Sequence, residues 1–291
     1  PGGQAALSVV LRTLGSPGAP LLVEDPTYPG AVAAAQAAGM VPVPVPTDAE
    51  GVRADLLDDL LARTGATLAY LQPTYANPTG AVTSPQRRAA VLAAAARHHA
   101  FVVEDDWARH LSLDGEAPRP LVADDPDGHV VHVTSLSKPA SPSLRIGALV
   151  ARGPALERLR SARVADDLFV ARPLQETAAE LLAAPDWARH LRRLRSALAR
   201  RRDLLHARLV SALGHTAAPP GGGLHVWLRL PAGADSGATT RAALAVGVHV
   251  GDGRGYFARE APAPHLRLSY GAASEEQLVR GVDVLARLLR G

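Results

Sequence analysis

Residues 130–138 read Val130-Val131-His132-Val133-Thr134-Ser135-Leu136-Ser137-Lys138. A short β-branched run gives way to hydroxyl side chains and then to a lysine, the pattern of a buried strand that surfaces into a loop. In open α/β sheets ligands sit outside the carboxyl ends of the strands, which is where these hydroxyls and this amine fall. The lysine is also the only one in the chain: of 31 basic residues, the other 30 are arginine. Arginine serves salt bridges and solvated charge, but its guanidinium stays protonated and is a poor nucleophile. A primary amine that survives such a bias is a candidate Schiff-base former. The plain alternative is an arginine-biased, alanine-rich composition that left one lysine behind, and the neighbours have to decide.

Runs of the same kind recur on both sides. Leu21 to Glu24, Ala66 to Gln72, Phe101 to Asp105 and Ile146 to Ala151 read as buried strands separated by helical patterns, which predicts an α/β sheet with mostly parallel strands. Ser84 and Pro85 predict the N-cap and first residue of a helix that runs to about His99. Val41 to Val45 alternates with prolines and reads as an edge strand or an extended linker. Residues 172–213 predict two helices that break at Pro185 and Asp186, the second long and amphipathic. After Gly221-Gly222-Gly223 the pattern returns to strands, Leu224 to Leu230, Val246 to Val250 and His265 to Tyr270, and closes on an amphipathic helix from Glu275 to Leu289. The expected organisation is a large domain over 1–185, a long interdomain helix over 186–213 and a smaller α+β domain over 214–291.

Composition bounds the function. With 47% apolar residues in 291, the chain buries a large core. No apolar stretch approaches the roughly 18 residues of a membrane span, no charged-then-apolar leader is visible, and cytoplasm is the default location. Cysteine is absent, which excludes disulfides and thiolate metal sites. The net charge of +3 with a high pI reflects arginine replacing lysine more than a basic patch. Arg192, Arg193, Arg195, Arg200, Arg201 and Arg202 crowd one predicted helix and read as a solvated face ahead of a nucleic-acid contact.

Four further motifs bear on chemistry. Gly2-Gly3-Gln4 places a glycine turn at a helix start, where backbone N–H groups favour an anion. Asn77-Pro78-Thr79-Gly80 follows a strand; it is either a simple turn or an asparagine amide held at the strand's carboxyl end for a polar oxygen. Glu104-Asp105-Asp106 also ends a strand, and its carboxylates suit a metal, an acid/base pair or one cationic ligand. With no histidine at zinc-motif spacing the third is favoured, because a buried carboxylate there holds a protonated ring nitrogen. Ser135, Ser137 and Arg145 around Lys138 fit a phosphate beside a Schiff base, and Arg267, if it projects into a cleft, would clamp a carboxylate. Gly251-Asp252-Gly253-Arg254-Gly255 lacks the following helix that a dinucleotide fingerprint requires.

Taken together these residues resemble the pyridoxal 5′-phosphate (PLP) enzymes of fold type I, the class I/II aminotransferases, over nearly the whole chain. The resemblance implies a three-layer α/β/α PLP-transferase fold and a homodimer acting on an amino acid and a 2-oxo acid. Lys138 would carry the cofactor as a Schiff base and shuttle the substrate's α-proton. Asp105 would pair with the pyridine nitrogen, Asn77 would bond the ring's phenolic oxygen, and Tyr28, in Asp25-Pro26-Thr27-Tyr28-Pro29-Gly30, would stack on the ring. The phosphate would lie against Gly2, Gly3 and Gln4 with Ser135, Ser137 and Arg145, and Arg267 would take the substrate α-carboxylate. No metal is implied.

Glu104-Asp105-Asp106-Trp107, Gly222-Gly223-Leu224-His225-Val226-Trp227 and Tyr256-Phe257-Ala258 are similar, more narrowly, to the aminotransferase-like domain of MocR-type GntR regulators. In that group a winged-helix domain, which is not in this sequence, precedes a ligand-sensing PLP domain and alone contacts DNA; the opening on Pro1 fits a fragment that also lacks part of the small domain. The departure is Trp107, where the family carries a tyrosine on the phenolic oxygen: an indole N–H donates but has no ionisable phenol. Three expectations follow in order: an aminotransferase, a regulator's sensing domain, and another fold type I reaction such as a lyase or decarboxylase.

Overall fold

The computed structural model describes residues 2–167 and 169–290. Pro1, the head of the expected large domain, Leu168, and Gly291, the end of the small one, lie outside the described residues.

Seven strands form the main sheet. These are β1 (Pro20–Asp25), β2 (Val41–Asp48), β3 (Gly51–Val52), β4 (Leu68–Leu71), β5 (Phe101–Asp105), β6 (Val130–Ser135) and β7 (Gly147–Val150), in the order β3-β2-β1-β4-β5-β6-β7. The central pairs are parallel, with Tyr70 beside Val103 and Asp105 beside Val133, while β3 and β7 run antiparallel at the two edges. Chain order reverses between β1 and β4, so a crevice opens at their carboxyl ends. The proline strand β2 pairs with β1 over Val41 to Pro46 and meets β3 only at Thr47 and Asp48. Pro42, Pro44 and Pro46, which lack a donor, therefore sit on what is nearly an edge.

Helices cover both faces because alternate strand residues point to opposite sides. On one face α1 (Gly2–Leu14), α2 (Pro29–Ala37) and α5 (Gly153–Asp167) pack on Leu21, Val23, Tyr70, Val103 and Val131. On the other, α3 (Ala54–Thr64) and α4 (Pro85–Arg97) pack on Leu22, Ala69, Leu71, Val102 and Val130. This is the expected three-layer α/β/α arrangement. Ser84 caps α4 by accepting from the Arg87 N–H at 3.5 Å, with Pro85 at its first turn.

The break at Pro185 separates α6 (Arg172–Ala183) from α7 (Asp186–Leu213). Beyond α7, a three-stranded antiparallel sheet of β8 (His225–Arg229), β10 (His265–Ser269) and β9 (Gly251–Asp252) packs with α8 (Ser236–Ala245) and α9 (Glu275–Arg290) against α7. Three expectations need correction. The run Ile146 to Ala151 forms the edge strand β7 and is not buried: Gly147 and Leu149 are half-buried, and Ala148 and Val150 are exposed, Val150 by 47%. Val246 to Val250 is not a strand: Val246 closes α8 and is 60% exposed, and the pairing with Arg267 is made by Gly251. Nor is the arginine run uniformly solvated. Arg202 is 5% exposed and donates to Asp114 at 2.6 Å and to the Pro220 carbonyl at 3.0 Å, and Arg195 donates to the His110 carbonyl, while Arg192 and Arg193 are exposed.

Candidate active site

One cavity of about 360 Å³ lies at the carboxyl ends of β1, β4, β5 and β6. It is lined by Gly3, Gln4, Tyr28, Asn77, Asp105, Trp107, Ser135, Ser137, Lys138, Arg145 and Arg267. Of the sequence-predicted site residues only Gly2 is off its wall; Gly2 lies just behind, where a Cβ would stand 3.0 Å from the Arg145 guanidinium. Larger apolar grooves, about 650 and 660 Å³, flank α9, but neither is lined by a lysine or a carboxylate. The smaller cavity is therefore where the chemistry collects.

Its floor is Asp105. The carboxylate opens on the cavity yet is enclosed by protein, and its Oδ2 accepts from the Tyr70 hydroxyl at 2.5 Å and from Gln72 Nε2 at 2.9 Å. Burial raises its pKa above the ordinary carboxylate value, and those two donors oppose the rise. Behind it Glu24, 1% exposed, accepts from the Gln72 N–H at 2.9 Å, and burial lifts its carboxyl to about 7. On one side Asn77 receives Arg267 Nη1 on its Oδ1 at 3.3 Å, which turns the asparagine's NH₂ away as a free donor. On another, the Tyr28 hydroxyl donates to Gln4 Oε1 at 3.1 Å.

At the far end Gly3 and Gln4, in the first turn of α1, line the cavity, and the first N–H groups of a helix have no partner within it. Gly2, at φ 76°, adopts a conformation side chains rarely take, and a Cβ on Gly147 would meet the Gly2 carbonyl carbon at 2.8 Å. Gly3, Ser135 and Arg145, itself left-handed at φ 51°, surround this end. Lys138 follows β6 in a turn closed by the Ala140 N–H to the Leu136 carbonyl, and His190 of α7 bonds the Pro139 carbonyl at 2.7 Å. The lysine side chain is exposed, on the cavity wall.

Sequence reasoning missed Tyr70, Gln72 and His225. The first two read as ordinary strand-end residues, and the third as one step of an alternating strand. His225 lines the cavity; burial, then the charges of Arg267 and Lys138, drive its imidazole down to about 3, so it is neutral. Glu104 and Asp106, flanking Asp105, face the other way and gather with His132 within 4.8 Å. Glu104 already accepts from the Leu121 and Val122 N–H groups and from His132, and Asp106 holds Arg109, so the cluster reads as a structural network.

The sequence profile of aminotransferase class I and II matches residues 1–285. The chain belongs to the class I and II aminotransferase family. Among relatives it is 33% identical to the 2-aminoadipate transaminase of Thermus thermophilus, covering 100% of this chain and 74% of that one. It is 30% identical to YdfD of Bacillus subtilis, an uncharacterized HTH-type transcriptional regulator, over 99% of this chain but only 60% of that protein's length. In structure it is similar to LysN, the α-aminoadipate aminotransferase of Thermus thermophilus in complex with N-(5′-phosphopyridoxyl)-L-leucine. The TM-score is 0.93 at 31% identity, covering 100% of this chain and 76% of that one. The aminotransferase fold thus accounts for both sheets, and no described helix is long and apolar enough to cross a membrane.

Proposed function

We propose that the protein is a PLP-dependent aminotransferase that moves an amino group between an amino acid and a 2-oxo acid. The observation that carries this reading is the meeting of the chain's sole lysine, the Asp105 carboxylate and Arg267 in one cavity. The fit to the cofactor is supported by three buried polar atoms without a hydrogen-bond partner among the described residues, Trp107 Nε1, Ser137 Oγ and Arg267 Nε, all on cavity residues. Buried polar atoms without a partner are uncommon in native proteins, and three gathered on one cavity suit a polar ligand.

Lys138 would hold the cofactor through Nζ, Asp105 its ring nitrogen, Asn77 its phenolic oxygen and Tyr28 its ring face. The α1 N-terminus with Gly2, Gly3 and Gln4, together with Ser135, Ser137 and Arg145, would hold the phosphate. Bound PLP supplies an electron sink for the pair left on the substrate's α-carbon. Arg267 clamps the substrate carboxylate, Asp105 keeps a proton on the ring nitrogen, and Lys138 Nζ takes the α-proton from one carbon and returns it to another. The same reading makes the protein a cytoplasmic homodimer; the exposed apolar side chains of Val164, Phe169 and Leu182 support a covered face.

A second reading, the ligand-sensing domain of an HTH-type regulator, is favoured by the YdfD likeness and by Trp107 in place of the expected tyrosine. The test is to load the full-length chain with PLP and add single amino acids. An enzyme converts the chromophore to the amine form and releases a 2-oxo acid. A sensor binds and stalls, and its DNA affinity changes. An unchanged PLP spectrum in Lys138→Ala overturns both.

A further inference from the structure

Gln72 follows β4 at the switch point, is 2% exposed, and has three polar groups engaged by different parts of the site. Its backbone N–H donates to Glu24 Oε2, its Nε2 donates to Asp105 Oδ2 and its Oε1 accepts from the Asn77 N–H, each at 2.9 Å. Asn77 Oδ1 in turn receives Arg267. One side-chain amide therefore stands between the carboxylate read as the partner of the ring nitrogen and the asparagine read as the partner of the ring oxygen.

We propose that Gln72 is a positioning residue that fixes Asp105 and Asn77 as one unit, so that the two edges of the bound ring are held in a set relation. This rests on the reading of the cavity as a PLP site. The amide has one workable orientation: only NH₂ can donate to a carboxylate, and only the carbonyl can accept from a backbone N–H. Reversing it would lose both bonds. The cavity side of Asp105 is faced by Lys138 and Arg267, and the charged and titratable groups that act on it through the protein are Glu24, Tyr28, Tyr70, Asp106 and His132. The donors to its Oδ2 are the Tyr70 hydroxyl and the Gln72 amide, so losing either makes the carboxyl easier to protonate, and a neutral carboxyl no longer holds a proton on the ring nitrogen.

Tyr70 and Gln72 separate the two effects, because Tyr70 touches Asp105 but its hydroxyl makes no bond to Asn77. The experiment measures PLP affinity and the pH midpoint of the visible chromophore, without turnover, in full-length wild type, Tyr70→Phe and Gln72→Met. Tyr70→Phe is expected to move the acid limb of PLP affinity upward by about one pH unit, a tenfold weakening on that limb, and to leave the chromophore midpoint in place. Gln72→Met is expected to move both. If Gln72→Met does not fold, Gln72→Glu, which keeps the length and the acceptor but replaces the donor with a charge, takes its place in the comparison. A Gln72 variant that moves neither quantity, or only the limb that Tyr70→Phe moves, overturns the inference while leaving the cofactor reading intact. A wild-type protein that shows no chromophore, like the Lys138→Ala control, overturns the cofactor reading and this inference with it.

Discussion

The imidazole of His225 lies against the indole of Trp107, with ring centroids 5.7 Å apart and planes inclined by 32°. The contact sets the indole and a neutral imidazole side by side on the cavity wall, which Lys138 and Arg267 share. Because the folded pKa, about 3, lies below the ordinary 6.5, the unfolded chain takes up this proton first as pH falls. Stability from this group is complete above 6.5 and is lost toward 3. Between pH 8 and pH 5 the wild type should lose about 2 kcal/mol that His225→Phe does not, read as the change in the gap between their denaturant unfolding free energies.

Ser137 tests the phosphate end without touching charge. Its Oγ is buried and has no hydrogen-bond partner among the described residues, so the free protein bears the desolvation of that hydroxyl. Ser137→Ala should leave the unliganded protein as stable or about 1 kcal/mol more stable, and should weaken PLP binding several-fold. Thermal unfolding with and without PLP reads both signs; a loss of stability in the free protein would show that the hydroxyl already has a structural task.

The strands that end on chemistry were the most readable parts of the sequence. Phe101–Asp105 and Val130–Ser135 run between the expected residues, because a β-branched run closed by polar side chains has few other ways to sit in a parallel sheet. Val246 to Val250 failed by the same logic. An apolar run needs a neighbour with free N–H and C=O groups, and β10 offers its outer edge to Gly251 and Asp252 instead. Within the site, Lys138, Asp105 and Arg267 stood out by residue type and place. Gln72 and His225 did not, because their roles depend on which side chains β1, β5 and the Asn77 loop bring beside them, and spacing along one strand carries no trace of that.

The arginine-rich helix gives a contrast within one element. Arg202 is buried between Asp114 and the Pro220 carbonyl, tying α7 to the loops over the small sheet, whereas Arg192 and Arg193 face water. Arg202 is buried but its carboxylate partner Asp114 is half exposed, so removing the guanidinium leaves the Pro220 carbonyl without this donor while water can still reach the carboxylate. Arg202→Leu should cost about 1 to 2 kcal/mol, while Arg192→Ala and Arg193→Ala should stay within about 0.5 kcal/mol, as denaturant midpoints would show.

Glu24 makes the strongest pH prediction. Its carboxyl, 1% exposed, keeps one oxygen on the Gln72 N–H and the other without a partner among the described residues, and burial, against that hydrogen bond, lifts its pKa from 4.5 to about 7. In the unfolded chain it ionises near 4.5, so as pH rises from there toward 7 unfolding releases a proton that the fold retains, and the native state loses stability by about 3 kcal/mol before levelling off. Glu24→Gln keeps the shape and the acceptor for Gln72 but cannot ionise. The variant should match the wild type near pH 4 and exceed it by up to about 3 kcal/mol at pH 8, with the gap opening between the two pKa values. Equal stability of the two proteins at pH 8 would mean that the buried carboxylate is compensated by a contact other than Gln72. The same variant also separates Glu24 from the site it underlies: with no negative charge behind Asp105, PLP affinity above pH 7 should hold or rise, since one of the groups that favour protonation of Asp105 is gone.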